Sequence, residues 1–192
     1  MVAMLSRYVY HCAAGFDVPP ALVHHIMARI LTDQEIADLL GEKKPLPPNW
    51  GARLRLRQKR GYQYEERQLD VTSEQGRTFR FIARRNRQNP LDFSIILIFE
   101  DDDGSEYRLT RYNGKHPSRH TNRWEKDMGE ASHTFDPDFH IHRATERYQR
   151  DGYAIDGYAE TTDDYSDYGT AFDAFLKGCN FERVDSAQQK LL

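Results

Sequence analysis

The sequence has little cysteine, and its two cysteines, Cys12 and Cys179, stand near opposite ends of the 192 residues without CxxC spacing. This pattern indicates neither a disulfide framework nor a zinc knuckle, and it is typical of proteins in a reducing compartment. No segment approaches the roughly 20 apolar residues that a membrane helix needs. Arg7 and His11 interrupt the apolar N-terminal residues, which therefore do not resemble a signal peptide. We expect a soluble, cytoplasmic protein without membrane contact.

Motifs for binding nucleotides are also lacking, and so is a strong excess of one charge. The sequence contains no GxxxxGK(S/T), GxGxxG or GxSxG motif, so nothing in it indicates a nucleotide-fuelled enzyme or a hydrolase with a serine nucleophile elbow. The net charge is only −3. We therefore do not expect the whole molecule to attract polyanions.

The charges are unevenly distributed along the chain. Residues 43–87 contain 13 lysines and arginines against four acidic residues, whereas residues 151–192 contain nine acidic residues against three basic ones. Such a division favours a surface that attracts phosphate at one end and an acidic face at the other. The alternative is that both are solvated faces that pair with each other.

The first 48 residues are predicted to form a helical extension. Pro19 and Pro20 suit the first turn of a helix, where the missing N–H of proline costs no hydrogen bond. Thr32 and Glu35 form the capping box of a second helix, which Gly41 ends. The sequence PLPPN then breaks the chain, so we place a boundary after residue 48.

After Trp50 the helical period gives way to alternation of apolar and polar residues. In RLRLRQ, residues 53–58, leucines and arginines alternate as in a half-buried strand. Further strands are predicted at 62–71, 78–83, 93–99, 106–112 and 139–142, and helices at 144–150 and 165–177. Short turns favour antiparallel neighbours. We expect an α+β domain over residues 49–192, with a curved antiparallel sheet of about five to six strands packed against helices.

Histidines are concentrated in one part of this domain, since five of the eight fall between residues 116 and 142. His140 and His142 stand two residues apart on a predicted strand, so their side chains leave the same face. If this strand lies beside the strand at 106–112, the histidines of the loop between them converge on the same place. The candidate catalytic residues are His140, His142, His120, His116 and Lys115. The candidate phosphate-binding residues are Arg111, Arg143, Arg53, Arg55 and Arg57.

Two chemistries fit such a cluster. A zinc site uses two or three imidazoles and a carboxylate such as Asp138 or Glu146. In metal-free cleavage of RNA, one histidine takes the proton of the 2′-hydroxyl, a second protonates the leaving oxygen, and a cation stabilises the charged phosphorane. The sequence places Lys115, Arg119 and Arg143 next to the histidines, and these cations repel metals. We therefore favour acid–base chemistry by His140 and His142, without a metal or another cofactor.

The motifs RYNG, HTN at 120–122 and HIHRATERYQ at 140–149 resemble those of a family of prokaryotic mobile-element proteins without an assigned function. More remotely, the arginine-tyrosine strand that leads into a His-x3-His-Thr-Asn loop is similar to TumE-type toxins of toxin–antitoxin systems. The resemblance covers about residues 31–182. It implies a small bacterial or phage protein that acts against, or regulates, a nucleic-acid process in the cell.

Together these observations lead to the hypothesis of a toxin-like ribonuclease or nucleic-acid-processing protein of a mobile element. Its expected partners are RNA or single-stranded nucleic acid, and a protein that is either an antitoxin or a host defence complex. The alternative is a non-catalytic inhibitor that binds such a protein through an acidic, tyrosine-rich surface. That surface would use the tyrosines at positions 148, 153, 158, 165 and 168. The sequence indicates no oligomeric state.

Overall fold

Most of the described strands belong to one large antiparallel sheet. A computed structural model describes residues 29–57, 63–130 and 133–183 of the chain. Seven strands form the sheet: β2 (Arg55–Arg57), β3 (Tyr64–Thr72), β4 (Thr78–Asn86), β5 (Phe93–Glu100), β6 (Glu106–Asn113), β9 (His140–Arg143) and β10 (Tyr158–Thr161). Their spatial order is β10-β9-β6-β5-β4-β3-β2, and every neighbouring pair is antiparallel.

Two pairs of short strands and five helices complete the described residues. The short strands are β1 (Lys44–Leu46) with β11 (Phe181–Arg183), which are parallel, and β7 (His120–Thr121) with β8 (Thr134–Phe135), which are antiparallel. The helices are α1 (Asp33–Gly41), α2 (Trp50–Arg53), α3 (Arg123–Asp127), α4 (Glu146–Arg150) and α5 (Tyr168–Gly178). None of them is long and apolar enough to cross a membrane.

The predicted fold class is confirmed, because the chain is α+β with an antiparallel sheet packed against helices. All six predicted strands are present in the sheet, and β10 adds a seventh at the edge beside β9. The first predicted strand begins two residues late, since Arg53 ends the short helix α2. The helix predicted to start at Pro19 lies outside the described residues. The boundary after residue 48 stays a prediction.

Local signals explain where the two longer helices begin. The hydroxyl of Thr32 accepts a hydrogen bond from the Glu35 amide, and the Glu35 carboxylate accepts one from the Thr32 amide, which is the capping box predicted for α1. The Asp167 carboxylate accepts from the Thr170 amide in the same way at the start of α5. Because Asp167 caps α5, this helix begins three residues later than predicted.

The hydrophobic core lies between one face of the sheet and the helices α1 and α5. Phe79 and Phe81 of β4 and Phe175 of α5 are fully buried in it. The rings of Phe81 and Phe175 meet edge to face, with centroids 6.0 Å apart. The core occupies this face of the sheet, so a functional site on the sheet must use the other face or an edge.

Lys44 belongs to the basic segment, residues 43–87, that is predicted to attract phosphate. Its side chain is completely buried. Its Nζ donates hydrogen bonds to the carbonyls of Leu39, Leu40, Glu42 and Cys179, at 2.7 to 3.2 Å. These carbonyls belong to the C-terminal ends of α1 and α5, which have no partners within their own helices. Burial lowers the pKa of Lys44 to about 8. Lys44 therefore joins two helix ends and is not available to a ligand.

Candidate active site

The pairing of β6 with β9 creates the site. These strands are neighbours, which meets the condition under which the histidines were expected to converge. The register sets four pairs of residues side by side, among them Arg111 with His142, Tyr112 with Ile141, and Asn113 with His140. Tyr112 and Ile141 belong to the core. Since side chains alternate between the two faces of a strand, His140 and His142 leave the opposite face, together with Arg111 and Asn113.

Residues 114–139, between β6 and β9, bring His120 to this face. Asn122 fixes the position of His120, because its side chain both donates to the Ala159 carbonyl and accepts from the Ala159 amide of β10, each at 2.9 Å. The buried carboxylate of Glu125 accepts hydrogen bonds from Arg147 and Tyr148 of α4. These bonds are a second attachment, between α3 and α4. Asn122 and Glu125 therefore anchor the residues that follow His120 to β10 and to α4.

Three imidazoles form a tight group. The ring centroids of His120 and His142 are 4.6 Å apart, those of His140 and His142 are 5.1 Å apart, and those of His120 and His140 are 5.6 Å apart. One nitrogen of each ring lies within 4.8 Å of the corresponding nitrogens of the other two. His140 and His142 are buried, and His120 is half-buried. We call these three residues the imidazole cluster.

Each ring of the imidazole cluster has one nitrogen next to an oxygen that can only accept a hydrogen bond. These contacts are Nδ1 of His142 to the Asp156 carbonyl (2.8 Å), Nδ1 of His140 to the Asp138 carbonyl (2.6 Å) and Nε2 of His120 to Oδ1 of Asn122 (2.9 Å). A neutral imidazole has one N–H and one lone pair. The contacts therefore assign the proton to these nitrogens and leave the lone pair on the other nitrogen of each ring.

Burial keeps the imidazole cluster uncharged. It lowers the pKa of His140 to about 4 and that of His142 to about 2, and the positive charge of Arg111 lowers the pKa of His142 further. The pKa of His120 is lowered as well, mainly by burial. Near pH 7 these rings are neutral and take up a proton only with difficulty, so they are poor groups for proton transfer, whereas their lone pairs can accept a hydrogen bond or bind a metal ion. The assignment of His140 and His142 as an acid and a base stays a prediction.

A fourth histidine, His116, borders the cluster and pairs with a buried carboxylate. Its ring centroid lies 5.9 Å from that of His140, and its Nδ1 lies 2.6 Å from Oδ1 of Asp92. The other oxygen of Asp92 accepts hydrogen bonds from Tyr64 (2.7 Å) and Asn86 (3.0 Å). Burial alone raises the pKa of Asp92, but these hydrogen bonds outweigh it and lower the pKa below its usual range. A carboxylate that binds Nδ1 leaves Nε2 of His116 for proton transfer.

Asp92 and Asn113 contact the histidines of the site but were not among the site residues predicted from the sequence. Asp92 follows a turn 24 residues before His116, and no short motif connects the two. Asn113 closes the strand β6, and its amide nitrogen lies 3.1 Å from Nε2 of His140. A sequence signal did exist for Asn113, because it stands two residues after Arg111 and so shares its face of the strand.

Arg111 is the cation closest to the imidazole cluster. Its Nη2 lies 3.1 and 3.2 Å from the two ring nitrogens of His142. The buried carboxylate of Asp156 lies 3.5 Å from its Nε and also contacts Arg108 at 3.2 Å. Nε of Arg111 and Oδ1 of Asn113 are buried without a hydrogen-bond partner. Such groups cost free energy, so a bound ligand that pairs with them is favoured.

A cleft of about 470 Å³ opens over these groups. Its walls include the imidazole cluster, His116, Asn113 and four arginines, Arg108, Arg111, Arg119 and Arg123. This volume lies within the range of small-molecule sites and admits a nucleotide-sized group. The cleft therefore combines neutral bases, one histidine–carboxylate pair and positive charge.

The remaining predicted cations lie elsewhere. Lys115 pairs with Asp138 at 2.9 Å and Arg143 approaches Glu160 at 3.9 Å, and neither lines the cleft. Arg143 lies on the face of β9 opposite to the histidines. Arg53, Arg55 and Arg57 are on α2 and β2, at the far edge of the sheet. With about 4.8 Å between strands, the five steps from β9 to β2 amount to roughly 24 Å.

The acidic, tyrosine-rich surface is smaller than expected. Tyr148 and Tyr165 are buried, with 1% and 4% exposure, so neither can face a partner. The hydroxyl of Tyr165 donates to the backbone carbonyls of Asn113 and His140 and thereby ties β6 and β9 together below the cleft. These two tyrosines support the fold and the site.

Comparisons of the chain with protein-family models, with curated proteins and with solved structures found no significant match. The resemblance to mobile-element proteins and TumE-type toxins therefore stays a prediction.

Proposed function

We propose that the cleft binds a phosphodiester group of RNA and that His116, oriented by Asp92, transfers the proton needed to cleave it. In this proposal the protein is a toxin-like, nucleic-acid-processing enzyme of a bacterial or phage mobile element. One observation carries the proposal: the His116–Asp92 pair and Arg111, whose Nε has no hydrogen-bond partner, meet at the imidazole cluster in one open cleft.

The positive charge of the cleft supports a phosphate ligand. Among the described residues, Nε of Arg111 has no hydrogen-bond acceptor and only a 3.5 Å ion-pair contact with Asp156, whose carboxylate also pairs with Arg108. Arginine binds phosphate through paired N–H groups and retains its charge at all physiological pH values. Arg111 is therefore placed to stabilise the extra negative charge of a pentacoordinate phosphorus.

The histidine–carboxylate pair supports proton transfer. Nε2 of His116 takes the proton of the 2′-hydroxyl, the 2′-oxygen bonds to phosphorus, and the bond from phosphorus to the 5′-oxygen breaks. The leaving oxygen receives a proton from water, and His116 returns its proton to solvent. The products are a 2′,3′-cyclic phosphate and a 5′-hydroxyl. Asp92 keeps the ring of His116 in the tautomer that this step needs.

Burial favours His116 over His140 and His142 for this step. His140 and His142 are buried, and burial lowers their pKa values to about 4 and about 2, whereas His116 is partly exposed. A group that gains and loses a proton in each cycle needs access to solvent. In this proposal the cluster histidines line the site and His116 exchanges the proton.

The test is cleavage of a mixed-sequence RNA by the purified protein, compared with His116→Ala and with His133→Ala as the matched control. His133 lies outside the cleft, and its Nδ1 contacts a backbone carbonyl. We expect His116→Ala to lower the rate about 10²- to 10⁴-fold, the usual contribution of general acid–base catalysis, and His133→Ala to leave it unchanged. No cleavage by the wild-type protein, or equal loss in both variants, contradicts the proposal.

Toxicity in cells tests the biological part of the proposal. Expression of the wild-type chain in a bacterial host is expected to arrest growth, and His116→Ala is expected to relieve the arrest at equal protein level. Growth arrest that is identical for the wild type and His116→Ala would assign the toxicity to another property of the chain.

A further inference from the structure

We propose that His120, His140 and His142 bind one divalent first-row transition-metal ion, with zinc as the best-suited ion, and leave its fourth coordination position open to the cleft. Binding of the metal stands on the geometry of the three rings. Only its use in catalysis rests on the proposed function.

The nitrogens of the three histidine rings are close enough to bind a single ion. His140 and His142 come from one face of β9, and His120 comes from β7, which lies in a different sheet. Their ligand nitrogens lie within 4.8 Å of one another. Nitrogens around a tetrahedral zinc ion at 2.0 to 2.1 Å are about 3.4 Å apart, so the rings must approach by at most about 1.5 Å. Three histidines with one open position are the ligand set of catalytic zinc sites.

The other nitrogen of each histidine ring makes a hydrogen bond that fixes the ring. Histidines that bind metals almost always donate their other N–H to a carbonyl or carboxylate, which fixes the ring and the tautomer. All three rings of the imidazole cluster do so, towards the Asp156 carbonyl, the Asp138 carbonyl and Oδ1 of Asn122. The lone pairs then fall on Nε2 of His142, Nε2 of His140 and Nδ1 of His120. Histidines that only face solvent from the outer side of a strand do not require three such hydrogen bonds.

Carboxylates lie close to the cations that surround the three histidines. Positive side chains near the histidines repel a metal, but the ones adjacent in sequence are neutralised by carboxylates. Lys115 pairs with Asp138 at 2.9 Å and Arg119 pairs with Asp136 at 3.0 Å. The buried carboxylate of Asp156 faces Arg111. Lys115 and Arg119, two of the cations that favoured metal-free chemistry in the sequence, are therefore paired in the fold, whereas Arg108 and Arg111 share one carboxylate and keep the cleft positive.

Arg111 is the exception and yields the sharpest test. Its Nη2 lies 3.2 Å from Nε2 of His142, the nitrogen that would bind the metal. Metal binding requires this guanidinium to withdraw towards Asp156, whose Oδ2 lies 3.5 Å from Nε. The positive guanidinium and the metal ion thus compete for the space beside this nitrogen. Replacing Arg111 by glutamine, which is shorter and uncharged, is expected to tighten metal binding by about tenfold or more, because it removes a positive charge within a few ångströms of the ion.

Two measurements test the site on the full chain, produced without a histidine tag. The protein is stripped with a chelator, dialysed against zinc chloride and analysed for metal, and Co²⁺ is added to a parallel sample to record the visible absorption of a tetrahedral centre. We expect about one ion per chain and a Co²⁺ spectrum for the wild type, as for a three-histidine site. His140→Gln and His142→Gln are expected to lose both, whereas His116→Ala and His133→Ala retain both.

Thermal melting with and without zinc distinguishes a variant that has lost the metal site from a variant that has lost its fold. A ligand that binds only the folded state raises the melting temperature. Zinc is expected to raise that of the wild type and of Arg111→Gln, and to leave that of His140→Gln unchanged even though this variant still melts cooperatively. Wild-type protein that binds no more zinc than His140→Gln, or no Co²⁺ spectrum, overturns the inference.

The outcomes separate this inference from the proposed function. RNA cleavage that persists in chelator, with no zinc bound in its absence, supports the proposed function and refutes the metal site. One zinc ion per chain without cleavage of RNA supports the metal site and refutes the proposed function. Cleavage that requires zinc supports both and assigns the metal a place in catalysis, where it polarises a phosphoryl oxygen.

Discussion

Two regions of the main sheet were candidates for binding phosphate, the basic strands β2 to β4 and the histidine strands β6 and β9, and they differ in how their charges are compensated. On β3 and β4, arginines stand directly opposite carboxylates: Arg80 faces Asp70 in the register and also pairs with Glu100 and Glu106. At β6 and β9, the described imidazole cluster has no carboxylate among its members, and Arg111 shares the single carboxylate of Asp156 with Arg108. A count of charges along the chain therefore overstates the positive charge of the basic strands, because acidic partners arrive from neighbouring strands.

The largest expected effect concerns one arginine of each region. Arg111→Gln removes the cation that lies beside the imidazole cluster, and we expect RNA cleavage to fall about 10²- to 10³-fold, as when a stabilising donor at a transition state is lost. Arg80→Gln removes a paired arginine of the basic strands and is expected to change the rate less than twofold. Initial rates with the same RNA measure both. Equal losses in the two variants would mean that the two regions do not differ in function.

A second effect concerns stability and again involves the basic segment. Lys44→Met keeps the length of the side chain but removes its donor from four buried carbonyls. We expect the free energy of unfolding to fall by about 2 to 3 kcal/mol, since buried groups without a partner cost about 1 to 3 kcal/mol. Urea denaturation measures the change, with exposed Lys126→Met as the control. A loss below 0.5 kcal/mol, roughly the range of surface substitutions, would show that Lys44 is not a structural cation.

A third effect is the pH dependence of stability that comes from Asp92, the buried carboxylate that pairs with His116. The pKa of Asp92 is lowered in the folded protein, so its contribution to stability is complete above the unfolded pKa of about 3.9 and is lost as the pH falls further. We expect the stability of the wild type to fall more steeply below pH 4 than that of Asp92→Asn. Urea midpoints at pH 6 and pH 3 give this difference. Parallel loss in both proteins would contradict the assigned hydrogen bonds.

The smallest effect is a change in salt dependence. Each phosphate contact to single-stranded nucleic acid contributes about −0.7 to the slope of log affinity against log salt. Arg111→Gln is expected to reduce the slope by about this amount, whereas Arg80→Gln leaves it unchanged in fluorescence anisotropy titrations. The predicted row Arg53, Arg55 and Arg57 is tested in the same assay. A triple alanine variant with the wild-type slope would reject phosphate binding by that row.

Much of the fold was predictable because its signals are local. The period of two defined the strands, and Thr32 with Glu35 defined the start of α1. The shared face of His140 and His142 followed from their spacing on a strand. The short edge strand β10 was missed because YAET, two apolar residues followed by two polar ones, carries no alternation of apolar and polar residues.

The parts of the site that could not be predicted depend on distant pairings. His116 meets Asp92 only after β5 and β6 have folded beside each other, and Asn122 places His120 only through the backbone of Ala159. The burial of Lys44 similarly depends on Cys179, which is 135 residues away in the sequence. Sequence patterns indicate which side chains are available, whereas register and long-range packing decide their partners.

The most direct test of the central claim uses an oligonucleotide with a single ribonucleotide in a DNA strand. We predict cleavage only after the ribonucleotide, a 2′,3′-cyclic phosphate end, and loss of this product in His116→Ala but not in His133→Ala. No cleavage, or equal cleavage of the strand that lacks the ribonucleotide, would contradict an RNA-cleaving site built on His116 and Asp92.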